Sequence, residues 1–399
     1  MIEMLQTPDR SRFSADMDVS LVDSLTGFDA LREPWEALGR RDLESSVFLS
    51  WGWLRRSFCD NPARWSVLTA TARGSQQLAG ALPLKYRLHW SRSRNRLQTE
   101  IECGTRLSHA PCGGLLCAPE VEDQVIDRFA RALQTMPWSK FTLAYLPQGG
   151  RVEKMAQRLA AQGCRVTVED PASAPSGKRM VARVLPLPDS IEELLAGQVS
   201  REVAALWGHW RARMGRGDLH LRFAAAQDLD PALAALDALA KARGDRRARD
   251  RLKEARPALR IAAAEQCLVL PHLWAGETLL GGLAHVFDPL EGTLTHLAGV
   301  TGQDSDARAM LTLLAMQWAI ENGGLFYDFG RISSRYSRGF ETEKEASYTL
   351  TATRDADADL CLDPINSAAA VQRIADFVKA GEPDKAMRAC DQLARLLQT

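Results

Sequence analysis

The sequence predicts an α+β protein, mixed-sheet α/β in character, built from two similar halves and a C-terminal helical hairpin. Three observations carry this reading. Apolar spacings of helix and strand type alternate along the chain. One order of elements, a hairpin followed by a helix and then a strand, occurs twice, an internal duplication of about 170 residues. A stretch rich in Pro, Ser and Gly, "DPASAPSGK" at 170–178, lies between the two copies. The expected divisions are therefore 18–178, 179–360 and a tail at 361–399.

Residues 27–60 read as helical. Residues 65–90 alternate as a hairpin with Gly74 and Ser75 at its tip. An amphipathic helix follows at 120–136, its apolar face formed by Val125, Phe129, Ala132 and Leu133. "KFTLAYLP" (140–147) is a strand. The helix in 151–170 stops at Gly163 and gives way to another strand. The second series opens with "MVARVLPLPD" and continues with a helix at 190–214, a strand at 219–226 and a helix at 231–243. A strand at 267–276 precedes a hairpin at 278–300 that turns at "DPLEG". Next come a helix at 307–324 capped by Asn322 and Gly323, the strand "LFYDFG" and a last strand at 346–354. The tail 366–399 reads as two helices joined at "GEPD". Such a pair cannot bury its own apolar face, so it must dock on the body or on a partner.

Composition narrows the function classes. The 399 residues are 46% hydrophobic and 25% charged, with 50 basic and 50 acidic residues, so net charge points to neither nucleic acid nor acidic membrane. The N-terminus has no apolar leader, and the longest apolar runs are too short for a membrane span. Eight cysteines are scattered without a C-x-x-C pair, which fits reduced thiols in a cytoplasmic protein and offers no metal site. Dinucleotide, P-loop, H-E-x-x-H and G-x-S-x-G patterns are missing from the sequence.

Several residues are candidates for chemistry on their own type and place. Asp328 is a charge on a half-buried strand; it is either a base or substrate-orienting group, or one end of an ion pair to Arg331 or Arg335. His285 and His296 face each other across the 278–300 hairpin, and histidine titrates where a general base is useful. Trp51 and Trp53 are two apart on a helix, so one packs inward and the other is left to line a cleft. The run 241–260 carries nine Lys or Arg against three acidic residues, either a solvated helix face or a grip for an anion.

The segments "VFLSWGWLRRSF" (47–58), "LAGALPL" (78–84), "WAGETLLGGLAHVF" (274–287), "WAIENGGLFYDFGR" (318–331) and "YSRGF" (336–340) resemble the BioF2-like bacterial acetyltransferases associated with cellulose biosynthesis. More broadly the chain is similar to the FemAB-type aminoacyl transferases. The resemblance spans about residues 20–355. It implies two tandem GNAT-like domains with a cleft between them, and transfer of an acyl group to an amine or hydroxyl of a small-molecule or glycan acceptor. Polysaccharide or cell-envelope biosynthesis is the implied setting. It also implies acetyl-CoA or another acyl-CoA as donor, held at Ala298, Gly299, Val300 and Gly302, with the phosphates at the helix start near Ala307. The base would come from Asp328, His285 or His296. Arg331, Tyr336, Arg338, Trp51 and Trp53 would place the acceptor. Two features depart from the pattern: Asp304, Ser305 and Asp306 are themselves good helix caps, and Ser337, followed by Arg338, stands where relatives often keep a Lys. Two other readings therefore stay open. One is a pair of domains that has lost chemistry and binds a protein partner through its tail; the other is an aminoacyl-tRNA-dependent ligase.

Overall fold

The structure, a computed structural model, describes residues 17–74, 77–147, 150–169, 182–302, 306–330, 337–345, 347–354 and 361–398. The described residues form two compact units. One comprises 17–107, 112–169 and 347–398, the other 108–111 and 182–345.

The first unit begins with β1 (Met17–Val22), α1 (Leu25–Asp29), α2 (Arg32–Gly39) and α3 (Trp51–Asp60). Then come β2 (Trp65–Ala72), β3 (Leu78–Ser91), β4 (Arg96–Cys103), β5 (Leu116–Cys117), α4 (Glu122–Thr135), β6 (Lys140–Pro147), α5 (Gly150–Ala161) and β7 (Arg165–Glu169). The second unit holds β8 (Ala182–Pro186), α6 (Ile191–Gly197), α7 (Arg201–Gly215), β9 (His220–Phe223), α8 (Leu229–Ala242) and α9 (Arg246–Ala264). It continues with β10 (Leu268–Val269), β11 (Pro271–Ala275), β12 (Thr278–Asp288), β13 (Thr293–Thr301), α10 (Asp306–Glu321), β14 (Phe326–Asp328) and β15 (Glu343–Glu345). The chain ends in β16 (Ser347–Thr353), α11 (Ser367–Lys379) and α12 (Pro383–Leu396).

Each unit has one mixed sheet. The strand orders are β1-β2-β3-β4-β6-β16-β7, with β5 on β3, and β15-β8-β14-β13-β12-β11-β9, with β10 on β12. The expected duplication is present in the pairing itself. In each sheet an antiparallel hairpin leads to a helix and then to a parallel neighbour, β4 with β6 and β13 with β14. Both parallel ladders hold three residue pairs, Glu100–Glu102 with Lys140–Thr142 and Thr293–Thr295 with Phe326–Asp328.

Two expectations are corrected and a third is settled between its alternatives. The strand at 346–354 does not close the second half: β16 lies between β6 and β7 of the first sheet, where Leu350 and Ala352 are fully buried in its core. The equivalent place beside β14 is taken by β8. The single helix at 190–214 is two, because the chain leaves the helix after Gly197 and Ser200 caps the second by accepting from the Val203 N–H. Of the two docking places expected for the tail, the body is the one it takes: α11 and α12 pack Phe377, Ala386, Ala389 and Leu393 on Trp90 and Leu97 of the β3–β4 hairpin.

Candidate functional site

The parallel ladder between β13 and β14 stops at Thr295 and Asp328, while β13 runs on to Thr301. At the same point β13 carries a bulge. His296 pairs with His285 and Ala298 with Ala284, so Leu297 opposes no residue on β12. An extra residue kinks a strand and strengthens its twist, which turns β13 away from β14. Gly330 then adopts φ +65°, and a Cβ there would lie 2.4 Å from the His296 carbonyl oxygen. The two strands therefore part beside His296, and only glycine allows the chain to pass so close to it.

One face of the sheet at this branch point is a buried polar cluster. His285 is fully buried, its Nδ1–H donating to the Val269 carbonyl (3.2 Å) and its Nε2 accepting from the Tyr327 hydroxyl (2.9 Å). That pair of bonds fixes the tautomer. Thr312 of α10, whose hydroxyl donates to the Arg308 carbonyl at 2.9 Å, lies beside the Tyr327 phenol. The ring of His296 stands 5.1 Å from that of His285, and its Nδ1 has no hydrogen-bond partner among the described residues. Burial pulls the pKa of His285 down to about 4 and that of His296 well below the usual imidazole value, with Arg308 pushing both the same way. Burial raises the Tyr327 phenol. At neutral pH the cluster is two uncharged imidazoles and a phenol.

The end of β13 is ringed by guanidinium groups. Arg308, in the first turn of α10, donates to the Gly299 carbonyl at 3.3 Å, and Arg243 donates to that of Thr301. Gly299 itself is closely covered, since a Cβ there would come within 2.4 Å of Leu283. Of the expected donor-binding residues, Ala298, Gly299 and Val300 are paired to β12 on one edge and lie beyond the β14 ladder on the other; Gly302 bonds the Leu280 carbonyl.

Asp328 is not part of the histidine cluster. Neighbouring residues on a strand point to opposite faces, and Tyr327 points to the histidines. Its carboxylate accepts from the Gly330 N–H at 2.7 Å and so shapes the turn. Arg331, Tyr336 and Arg335 lie outside the described residues. Arg338 is exposed and Ser337 buried. In the first unit, Trp53 is corrected to a core residue: it is fully buried with its ring 4.8 Å from Phe48, because it sits on the inner face of α3. Trp51 is half-buried, stacked on Phe28 and covered by the guanidinium groups of Arg32 and Arg55.

Sequence reading missed Tyr327, Thr312 and Arg308. A tyrosine or threonine in an apolar run reads as core, and only the fold brings them to His285. It also missed the contrast with the first unit. There the segment after β4 returns into the matching gap, and a Cβ on Gly113 would come 2.6 Å from the Ala144 carbonyl oxygen. The first opening is thus entered by its own chain but not closed, since Gly113, Gly114 and Leu115 line a small cavity there together with Leu143, Leu146 and Arg151. Beside it, Arg151 is buried among Asp42, Glu44 and Glu122, bonding Asp42 at 2.6 and 3.1 Å. Among the described residues, no group of three or more His, Cys, Asp and Glu is placed to hold a metal ion.

No family model matches the chain, and no curated protein matches it in sequence. Solved structures do match its fold. A crystal structure of FemX superposes with a TM-score of 0.56 at 11% identity, over 80% of this chain and 95% of that one. L-PGS from Bacillus licheniformis gives 0.47 at 11% identity over 82% and 93%. A tandem GNAT protein from the clavulanic acid biosynthesis pathway gives 0.44 at 13% identity over 85% and 100%. The chain shares its mixed α/β fold with FemX.

Proposed function

We propose that the chain is an acyltransferase whose donor enters the β13–β14 opening of the second unit. The observation that supports this most is the coincidence of three features at one residue, His296: the end of the parallel ladder, the bulge, and a buried imidazole with an unpartnered nitrogen. A bound acyl-CoA would supply a thioester carbonyl there. The residues present fit its acyl end. β13 offers backbone groups beyond the β14 ladder, Leu297 lies unopposed by β12, and no charge within the histidine cluster opposes an uncharged chain.

In this reading a main-chain N–H on the free edge of β13 past His296 donates to the carbonyl oxygen, the role that backbone N–H groups play in acyl transfer. His296 is the base. In its Nε2–H tautomer, Nδ1 holds a free lone pair and would take the proton of the acceptor amine or hydroxyl as that group bonds to the thioester carbon; the C–S bond then breaks and the departing thiolate takes the proton back. Burial keeps it unprotonated throughout the neutral range but also weakens it as a base, and a polar donor and acceptor entering the opening would relieve the burial that lowers it. His285 and Tyr327 hold it in place from either side of β13. Arg338 is exposed close in sequence to β14 and suits an anionic acceptor.

Calorimetry with acetyl-CoA tests the donor, and His296→Gln tests the base. The expected result is heat of binding in both proteins, with turnover of a scanned amine or sugar acceptor reduced about 10²–10⁴-fold in the variant. No binding of acetyl-CoA, with tRNA bound in a steeply salt-dependent way through Arg247, Arg251, Lys253 and Arg256 of α9, would replace the thioester by an aminoacyl-tRNA donor.

A further inference from the structure

The tail hairpin uses one face of α12 on the body and leaves another in solvent. Ala386, Ala389 and Leu393 pack inward, and the Gln392 carboxamide bonds both the N–H and the carbonyl of Leu97. At about 3.6 residues per turn, Pro383, Met387, Cys390, Ala394 and the cap residue Leu397 form a second apolar stripe. All five are exposed, Met387 at 63% and Leu397 at 69%. An apolar stripe at these spacings, over the full length of a helix, is the seam of a helix pair.

The charges beside the stripe say which helix covers it. Asp384, Arg388, Asp391 and Arg395 run along one flank, all exposed. When a second copy of α12 is laid antiparallel and turned about Cys390, Met387 comes level with the partner's Ala394 and Leu397 with the partner's Pro383. In the same arrangement Asp384 meets the partner's Arg395, and Asp391 meets the partner's Arg388. Two-fold pairing keeps like flanks together, so each acid finds a base and every contact is made twice. We propose that α12 is a homodimerisation helix that pairs antiparallel with itself across a two-fold axis at Cys390.

Helices of this length overlap along about 21 Å. Such an interface falls below about 1,200 Å², the range of weak and transient pairs. The dimer should therefore form and dissociate with concentration.

Sedimentation velocity of the full chain over rising concentration tests this. The expected result is a shift from monomer toward dimer that Met387→Glu abolishes. Asp391→Arg sets Arg against the partner's Arg388 and should weaken the dimer at least tenfold; adding Arg388→Asp should restore it. In a Cys59→Ser background, which removes the other exposed thiol, a short bismaleimide should join two chains through Cys390. Circular dichroism of each variant checks that the helices are retained. A chain that stays monomeric at every concentration with no Cys390 cross-link would overturn the proposal, the stripe then serving a different protein. So would a dimer indifferent to Met387→Glu and to the charge exchange.

Discussion

Gly330 shows how a single residue shapes the branch between β13 and β14. Its φ of +65° costs any residue with a Cβ about 1–2 kcal/mol. There is a second cost, because the new Cβ would meet the His296 carbonyl at 2.4 Å and backbone cannot swing aside. Gly163 isolates the first cost: it has φ +85° and open space where a Cβ would go. Gly163→Ala is expected to lower stability by about 1–2 kcal/mol, and Gly330→Ala by clearly more, as read from urea midpoints. Equal losses would mean that His296 does not constrain the turn. The sequence displayed Gly330 in "LFYDFGR", but its need for glycine comes from a carbonyl more than thirty positions earlier, which no local pattern reveals. His285 and His296 were legible as a facing pair because a hairpin register is local. Their burial was not, since it depends on α10 and β14.

Among the elements, β11, β12 and β13 carry three uncharged histidines in one sheet, His285 facing His296 and His272 opposite Gly282, three residues along β12. His272 on β11 has its pKa lowered to about 4 by burial, as His285 has, and His296 is lowered further. At pH 5 each ring is neutral in the fold and takes up a proton on unfolding. The unfolded chain then binds more protons, so stability falls as pH drops below the ordinary imidazole value of about 6.5 and goes on falling to about 4. Each histidine is expected to remove about 2 kcal/mol between pH 7 and pH 5. Urea unfolding at the two pH values measures this, and an unchanged midpoint would show that the rings are reached by water in the fold. The tail supplies a second case. Gln392 stands in for a strand at Leu97, where β4 lies before the start of its β6 ladder. Gln392→Ala leaves both backbone groups buried and unpaired, at about 1–3 kcal/mol each. The expected outcome is earlier protease cleavage around the Gly381 turn, with the body intact; unchanged cleavage would mean that the apolar contacts of Phe377 and Leu393 hold the tail alone. That two helices lie here was plain from their spacing and the "GEPD" turn. Where they dock was not, because Trp90 and Leu97 belong to a hairpin nearly three hundred residues away.

The whole molecule is a duplication whose last strand is out of sequence order. Reading along the chain places the cut near residue 178 and gives the strand at 347–353 to the second half, since nothing local to "SYTLTAT" says which sheet it joins. In the fold it lies between β6 and β7, with seven residue pairs on one side and five on the other. A chain of residues 17–178 would thus lose an interior strand. β6 and β7 would each show a row of unpaired backbone groups, and Phe141 and Leu143 would lose their cover from Leu350 and Ala352. Such a chain is expected to aggregate or to lack a cooperative transition, while one carrying residues 347–398 on a flexible linker after residue 169 should fold and melt as one unit. Cooperative unfolding of 17–178 alone would show that the first sheet closes without β16. Residues 182–345, in contrast, contain every strand of the second sheet. Expressed alone, they should retain the His285–Tyr327 cluster and bind whatever donor the full chain binds, and a donor site lost in that fragment would place part of it in the first unit.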